Sequence, residues 1–320
     1  MLSVLAITVP IYLVMAVGYA ATRAGLFARA EMRVFGKYVI HLALPALLFN
    51  ALSSRSLAEV LNPVFLAAYA GGSLLAIAAG LFWARKVAGK PLAPSAVVAM
   101  GMSCSNSGFI GFPLVTLVFG PATAGVCLAL AMIVENLLLI PLVLAIADSD
   151  LGEQGAGATR RQRLAAALRQ SMGALVRNPL IHGIVVGFVF ALLGWRLPEP
   201  VGRAVDLFAA SCAAISLLVI GGSLVGVGLR GMARDVAAIA AGKLLLHPLL
   251  VLLLVVLLPP MDRSMQTAVV MMAAVPMLGI YPILAQKHGQ DTLAASAQLG
   301  TTLLSFFTLT SLLWLLQQVG

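Results

Sequence analysis

The residues of this sequence that could do chemistry fall into a few short clusters. Residues 101–115 read GMSCSNSGFIGFPLV, in which Ser105, Asn106 and Ser107 supply hydroxyls and an amide beside Gly108, Gly111 and Pro113. A second cluster, AAVPMLGIYP, holds Pro276, Gly279 and Pro282. Glu135 and Asn136 bring a carboxyl next to an amide, and His41 and His247 bring two imidazoles. Residues such as these open a helix: a proline has no N–H and clashes with the preceding turn, so backbone carbonyls are freed. A helix N-terminus exposed in this way favours an anion and a C-terminus favours a cation. The expected chemistry is therefore the holding of a small ion, with Glu135 exchanging a proton or helping to hold a coupling cation, and Asn136 beside it.

The elements that must position these groups are membrane spans. The chain has 320 residues, 61% hydrophobic and 10% charged, and apolar runs of bilayer length recur along it. Spanning helices are predicted at roughly 2–22, 34–53, 62–83, 94–119, 122–147, 178–196, 203–228, 235–258, 264–287 and 292–317. The N-terminal run has no basic segment before it and is too long for a signal-peptide core, so it is read as the first span. Cys104, Cys127 and Cys212 all lie in apolar segments and are expected to be small buried packing residues. The net charge of +9 is scattered between apolar runs without an aromatic-rich basic patch, which argues against nucleic acid as a partner.

Basic residues are unevenly shared between the loops. Arg23, Arg29, Arg33, Arg85, Lys86, Lys90, a run from Arg160 to Arg177, Arg230, Arg234 and Lys287 follow the odd-numbered spans. Only Arg55, Arg196, Arg203 and Arg263 follow the even ones, so the odd loops are predicted to be cytoplasmic and both termini to face outward. The expected location is a bacterial inner membrane, crossed many times.

Sliding the sequence by 169 positions sets Pro10 on Pro179, Gly18 on Gly187, Gly25 on Gly194, Pro91 on Pro260, Pro113 on Pro282 and Gly120 on Gly289. Residues 1–147 then form a first five-helix repeat, 148–177 a cytoplasmic linker with a surface amphipathic helix, and 178–320 a second repeat. An odd number of helices inverts the second copy, an arrangement typical of secondary transporters. The expected fold is an all-α polytopic membrane protein of ten transmembrane helices in two inverted five-helix repeats, with helices 4 and 9 broken and crossing. A kink with small residues for close packing would explain helix 4 alone; the matching cluster in helix 9 favours a site.

The run from Asn106 through Leu114 resembles the broken fourth helix of the auxin efflux carrier family, with an asparagine, a proline seven residues on and a glycine two before that proline. Asn178-Pro179-Leu180-Ile181 resembles the start of that family's sixth helix, and Val275 to Lys287 resembles its ninth. The likeness covers essentially the whole chain. It implies a fold similar to bile-acid sodium symporters, with helices 1, 2, 6 and 7 as a scaffold and the other six as a transport core. It also implies a function like that of bacterial permeases for malonate, malate and other organic acids. Two departures stand out: Pro45 has Ala214 as its offset partner, and Met277 and Leu278 stand in helix 9 where polar contacts would be expected.

A carboxylate in mid-membrane costs roughly 2.5–3.5 kcal/mol on insertion scales and marks Glu135 as functional by default. Lys37 with His41 and Lys243 with His247 are four apart and share helix faces. Both lysines are expected to snorkel toward the cytoplasmic surface, and both histidines to be hydrogen-bonded core residues before proton carriers. Asp206 is expected to be solvated. No HExxH, GxSxG or paired-aspartate pattern is present, which argues against an enzyme. The expected function is alternating-access transport of a small organic anion. Export of an amphipathic compound is the second reading, and a membrane sensor or receptor a distant third. No cofactor is expected beyond a coupling ion, H+ or Na+; the expected partners are the organic anion, membrane lipid and a second copy in a homodimer.

Overall fold

A computed structural model of the chain describes residues 2–53, 61–151, 173, 176–228 and 232–318. Most of the segment 148–177, with its expected surface helix, therefore lies outside the described residues. Helix α1 covers Leu2–Arg23, α2 Glu31–Tyr38, α3 Leu44–Ser53, α4 Pro63–Phe82, α5 Leu92–Ser103, α6 Phe112–Val134 and α7 Ile140–Leu151. In the second half α8 covers Pro179–Leu193, α9 Glu199–Ser223, α10 Ala233–Ala241, α11 His247–Leu257, α12 Arg263–Ala274, α13 Tyr281–Gln286 and α14 Asp291–Gln318. Short π-helical turns, Val39–Ala43, Ser107–Gly111, Glu135–Leu139 and Gly242–Leu246, lead into or join several of these. No β-strand forms among the described residues.

Local chemistry explains the boundaries. Asn62 and Asn178 each precede a proline at the first helical position and cap it, with the side-chain oxygen accepting the N–H of Phe65 (2.9 Å) and of Leu180 (3.0 Å). Asp262 accepts the N–H groups of Ser264 and Met265. Gly194 ends α8 in the left-handed conformation, which an L side chain resists. Gly120, at φ 82° and ψ 166°, turns the chain inside α6, so the apolar stretch Ser107–Asp148 is a bent element rather than one straight rod.

Among the described residues, seven helical segments are long and apolar enough to cross a bilayer: Val4–Arg23, Glu31–Ser53, Pro63–Val87, Ser107–Asp148, Glu199–Ser223, Ala233–Leu257 and Asp291–Leu316. Leu92–Ser103 and Pro179–Leu193 are shorter apolar helices. Large apolar side chains such as Val17, Leu207, Leu249 and Val256 stand exposed on the outside, as a lipid-facing surface requires. The chain is an all-helical, multi-pass membrane protein.

The helices pack in two groups. In one, α9 lies against α1, α2 and α3, and α3 also against α8. In the other, α4 packs on α5, α11 and α12, α5 on α7, and α6 on α12. The last helix, α14, touches α13, α10 and α1 and so spans both groups. Where α1 crosses α9 the backbones are in contact: a Cβ on Gly18 would overlap the Leu218 carbonyl, and one on Gly221 the Met15 carbonyl. Small residues that allow such approach are what hold helices together in lipid, where the hydrophobic drive between them is absent.

That contact gives a direct test. Gly221→Ala should destabilise the protein by about 1–3 kcal/mol through overpacking, read as a lower melting temperature in detergent. Gly36→Ala, whose Cβ would stand 3.9 Å from its nearest neighbour, Val219, should melt as the parent does.

Candidate functional site

Two helices are interrupted where the sequence placed its poor helix formers, and the interruptions touch. Helix α5 ends at Ser103, whose hydroxyl bonds back to the Ala99 carbonyl (2.8 Å), and Cys104 is extended at φ −84° and ψ 122°. Helix α12 ends at Ala274, and Val275 is extended at φ −69° and ψ 157°, because the residue before a proline is driven out of the helical region. The two extended stretches pair antiparallel across Ser105 and Met277. The N–H of Asn106 donates to the Pro276 carbonyl (2.8 Å), and that of Leu278 to the Cys104 carbonyl (3.2 Å).

The prolines act differently from the sequence-based expectation. Pro113 and Pro282 do not cause the breaks: Pro282 sits in the first turn of α13, where a missing N–H costs nothing, and Pro113 lies past the break, inside the half-helix that begins at Ser107 and runs on through helical Gly111 into α6. Pro276 breaks its own helix, and on the other side Asn106 restarts one. The Asn106 side-chain oxygen accepts the N–H of Phe109 (3.3 Å), and its carbonyl receives the N–H groups of Ile110 and Gly111. A buried asparagine is thus the cap of the half-helix beginning at Ser107, and it lies at the positive end of that helix. Its amide nitrogen is 3.7 Å from where a Cβ on Gly279 would stand, and Gly279 is exposed. Gly108 abuts Leu44, and Gly111 faces the sulfur of Met272.

A buried polar chain runs through the crossing. Glu135, 3% exposed, opens the π-helical turn after α6, and its Oε1 accepts the hydroxyls of Tyr69 and Ser107, each at 2.6 Å. On the other side of Asn106, Ser105 accepts a hydrogen bond from the Nζ of Lys243 (3.0 Å). Lys243 also donates to the Ala273 carbonyl in the last turn of α12, whose helical partner would be the N–H of Met277 beyond the break. A third contact joins Lys243 Nζ to His247 Nδ1 (3.0 Å), and His247 Nε2 meets Ser73 Oγ at 2.8 Å. Serines 105 and 107 therefore hold an ammonium and a carboxylate on either side of Asn106.

Lys243 corrects the sequence-based expectation. It does not snorkel: it is fully buried. Depth alone suggested a surface-seeking lysine, but Leu245 and Leu249 are exposed while Lys243 and His247 are buried, so the polar pair lies on the inner face and the leucines on the lipid face. That i, i+4 pattern was the available signal. Tyr69 and Ser73 carried none, being ordinary polar members of an apolar helix.

The other candidates are dispersed. Asn136 does not join Glu135: its amide donates to the Met132 carbonyl (2.9 Å), and its oxygen faces Asn178 at the start of α8. His41 is exposed, with Nδ1 at 3.0 Å from the Lys37 carbonyl. It borders a mostly apolar cleft of about 390 Å³ between α3, α8 and α9, with Pro45, Phe49 and His182, away from the crossing. Asp206 is exposed as expected, accepting from Asn50. Cys104, Cys127 and Cys212 are buried, as expected of packing residues.

A family model described as "Membrane transport protein" matches residues 3–315. The chain belongs to the auxin efflux carrier family. Within that family a Rhizobium meliloti (strain 1021) protein named "Putative malonate transporter" is 27% identical over 325 residues, covering 99% of this chain and 97% of the relative. An Escherichia coli (strain K12) protein named "Uncharacterized transporter YfdV" is 24% identical over 311 residues, covering 96% and 95%. This auxin efflux carrier homologue is a transport protein, not an enzyme.

If the chain of buried contacts is as tight as its distances indicate, Tyr69→Phe should cost about 1.5–3 kcal/mol, the worth of a hydrogen bond to a charged group. A melting temperature indistinguishable from the parent would show that Glu135 does not depend on that hydroxyl.

Proposed function

We propose that the protein is a secondary transporter that moves a small organic anion, such as malonate or malate, across a bacterial inner membrane by alternating access. The observation that carries this reading is the pairing of Ser105 with Met277, by which two interrupted helices cross with Asn106 and a half-helix N-terminus beside them. Bare backbone inside a membrane is stable only if it is satisfied within the protein or lines a wet cavity. The exposed Gly279 lies next to the Asn106 amide, which supports an opening to solvent on that side.

The substrate carboxylate is placed near the Asn106 amide and the positive end of the half-helix from Ser107, with Ser105, Gly108, Gly111 and Pro113 shaping one wall and Pro276, Gly279 and Pro282 the other. Gly279 keeps the backbone approachable beside the Asn106 amide, and Gly108 and Gly111 let Leu44 and Met272 pack closely behind it. Glu135 carries the coupling ion, H+ or Na+, one hydrogen bond away through Ser107.

The ten-span, inverted-repeat architecture belongs to the same reading, with both termini outside. It is supported by the offset pairs: Gly25 and Gly194 both take positive φ, as do Gly120 and Gly289. The first packing group, α1, α2, α3, α8 and α9, is the scaffold, and the second is the moving core. The relative named for malonate supplies the first substrate to try.

Two variants test the site. Asn106→Ala should weaken malonate binding by roughly tenfold or more, the effect of losing one hydrogen bond to a charged group; unchanged affinity in a titration of the purified, folded variant would remove Asn106 from the site. Glu135→Gln should abolish accumulation of radiolabelled malonate against a gradient in proteoliposomes while sparing exchange. Full concentrative uptake by that variant would take the coupling role from Glu135.

A further inference from the structure

The last helix brings a side chain to the crossing that the transport reading has not used. Hydroxyls along α14 turn back on their own helix: Thr301 bonds to the Ala297 carbonyl, Thr302 to that of Gln298 and Ser305 to that of Thr302. The Gln298 side chain does not. Half-buried, it reaches the opened stretch between α12 and α13, where its Nε2 donates to the Gly279 carbonyl (3.3 Å). A glutamine carries two N–H donors and a carbonyl acceptor, and this long bond uses one donor. Among the described residues, neither the second N–H nor Oε1 has a partner.

Asn106 is in a matching state. Its side-chain oxygen is taken by the Phe109 N–H, while its amide nitrogen donates to no described residue and stands 3.7 Å from the Cβ position of Gly279. The exposed Gly279 is therefore flanked by two carboxamides, one from the crossing and one from α14, each with N–H to spare. Ile220 of α9 closes the third side, its Cδ1 3.9 Å from the same Cβ position. Two neutral donors with a methyl group beside them suit an anion that has an acceptor at each end and carbon between, since a carboxylate strengthens a hydrogen bond from either amide. We propose that Gln298 is the second anchor of the substrate site, its amide taking one carboxylate of a short dicarboxylate whose other carboxylate lies at Asn106, with the intervening carbon against Ile220. The inference rests on the organic-anion reading and narrows it to diacids. Gln298 sets that preference: a monoacid satisfies Asn106 and leaves the Gln298 amide on the Gly279 carbonyl, and only a diacid makes the second contact.

The probes are malonate and isovalerate, which has the same branched shape with an isopropyl group in place of one carboxylate. Calorimetric titration of the full-length protein, purified in detergent, measures the affinity for each. The parent should bind malonate roughly tenfold or more tightly than isovalerate. Gln298→Leu, which keeps the bulk and removes the amide, should weaken malonate about tenfold and leave isovalerate at least as tight, erasing the preference. Gln298→Glu sets a carboxylate against the second carboxylate and should weaken malonate further than Gln298→Leu does, and more than it weakens isovalerate. A glutamine that only braces Gly279 would weaken both acids alike or lower the melting temperature alone, and either result overturns the proposal. A parent that binds isovalerate as tightly as malonate overturns it too. Should Gln298→Leu fail to fold, the near-isosteric Gln298→Glu decides on the same ratio. A parent that binds neither acid overturns the organic-anion reading and the inference with it, whereas malonate binding that Asn106→Ala weakens and both Gln298 variants leave intact overturns the inference alone.

Discussion

Everything at the centre of this protein depends on one constraint: backbone opened inside a membrane must find its partners within the protein. The interruptions at Cys104 to Asn106 and Val275 to Gly279 would each leave polar groups stranded in an apolar medium. They are made tolerable together. Each stretch donates one N–H to the other, Asn106 caps the helix that restarts, and Lys243 takes a carbonyl at the end of α12. Neither break would be stable alone, which ties α5 and α12 to a single crossing point.

Satisfying the crossing this way also fixes its electrostatics. A buried ammonium alone or a buried carboxylate alone would be prohibitive, and removing one partner of a buried pair leaves the other uncompensated. Here the two are held two residues apart in sequence, on Ser105 and Ser107. The π-helical turns that start at Ser107, at Glu135 and at Gly242 coincide with these charges. Such turns widen the helix locally and recur at functional sites.

The packing around the crossing divides the labour. One group of helices is locked by backbone contact at Gly18 and Gly221, a geometry that leaves little room for adjustment. The other group carries the polar chain. Where α14 passes α1, Tyr12 bonds to Ser305 and Thr310 to Thr8 through their hydroxyls, and the Tyr12 ring meets Phe306 edge to face.

Sequence by itself determined the class of the protein, its all-helical multi-pass character and where two helices would be interrupted, because apolar length and clustered Gly, Ser, Asn and Pro act locally and need no partner to be read. It also singled out Glu135, since a carboxyl in an apolar run is costly wherever it points. Tertiary structure alone decided which side chains meet. Lys243 looked like a snorkelling residue because sequence gives depth along a helix and not the direction a side chain faces. Asn136 looked like a companion of Glu135 because neighbours in sequence share a depth, yet adjacent positions on a helix diverge and it turned toward Asn178. Tyr69 and Ser73 entered only through contact with α6, the turn after it and α11. The prolines were read as the cause of both breaks. Pro276 is, through Val275, but Pro113 and Pro282 lie past the breaks, in the helical segments that follow, a distinction set by which backbone groups the crossing had already paired.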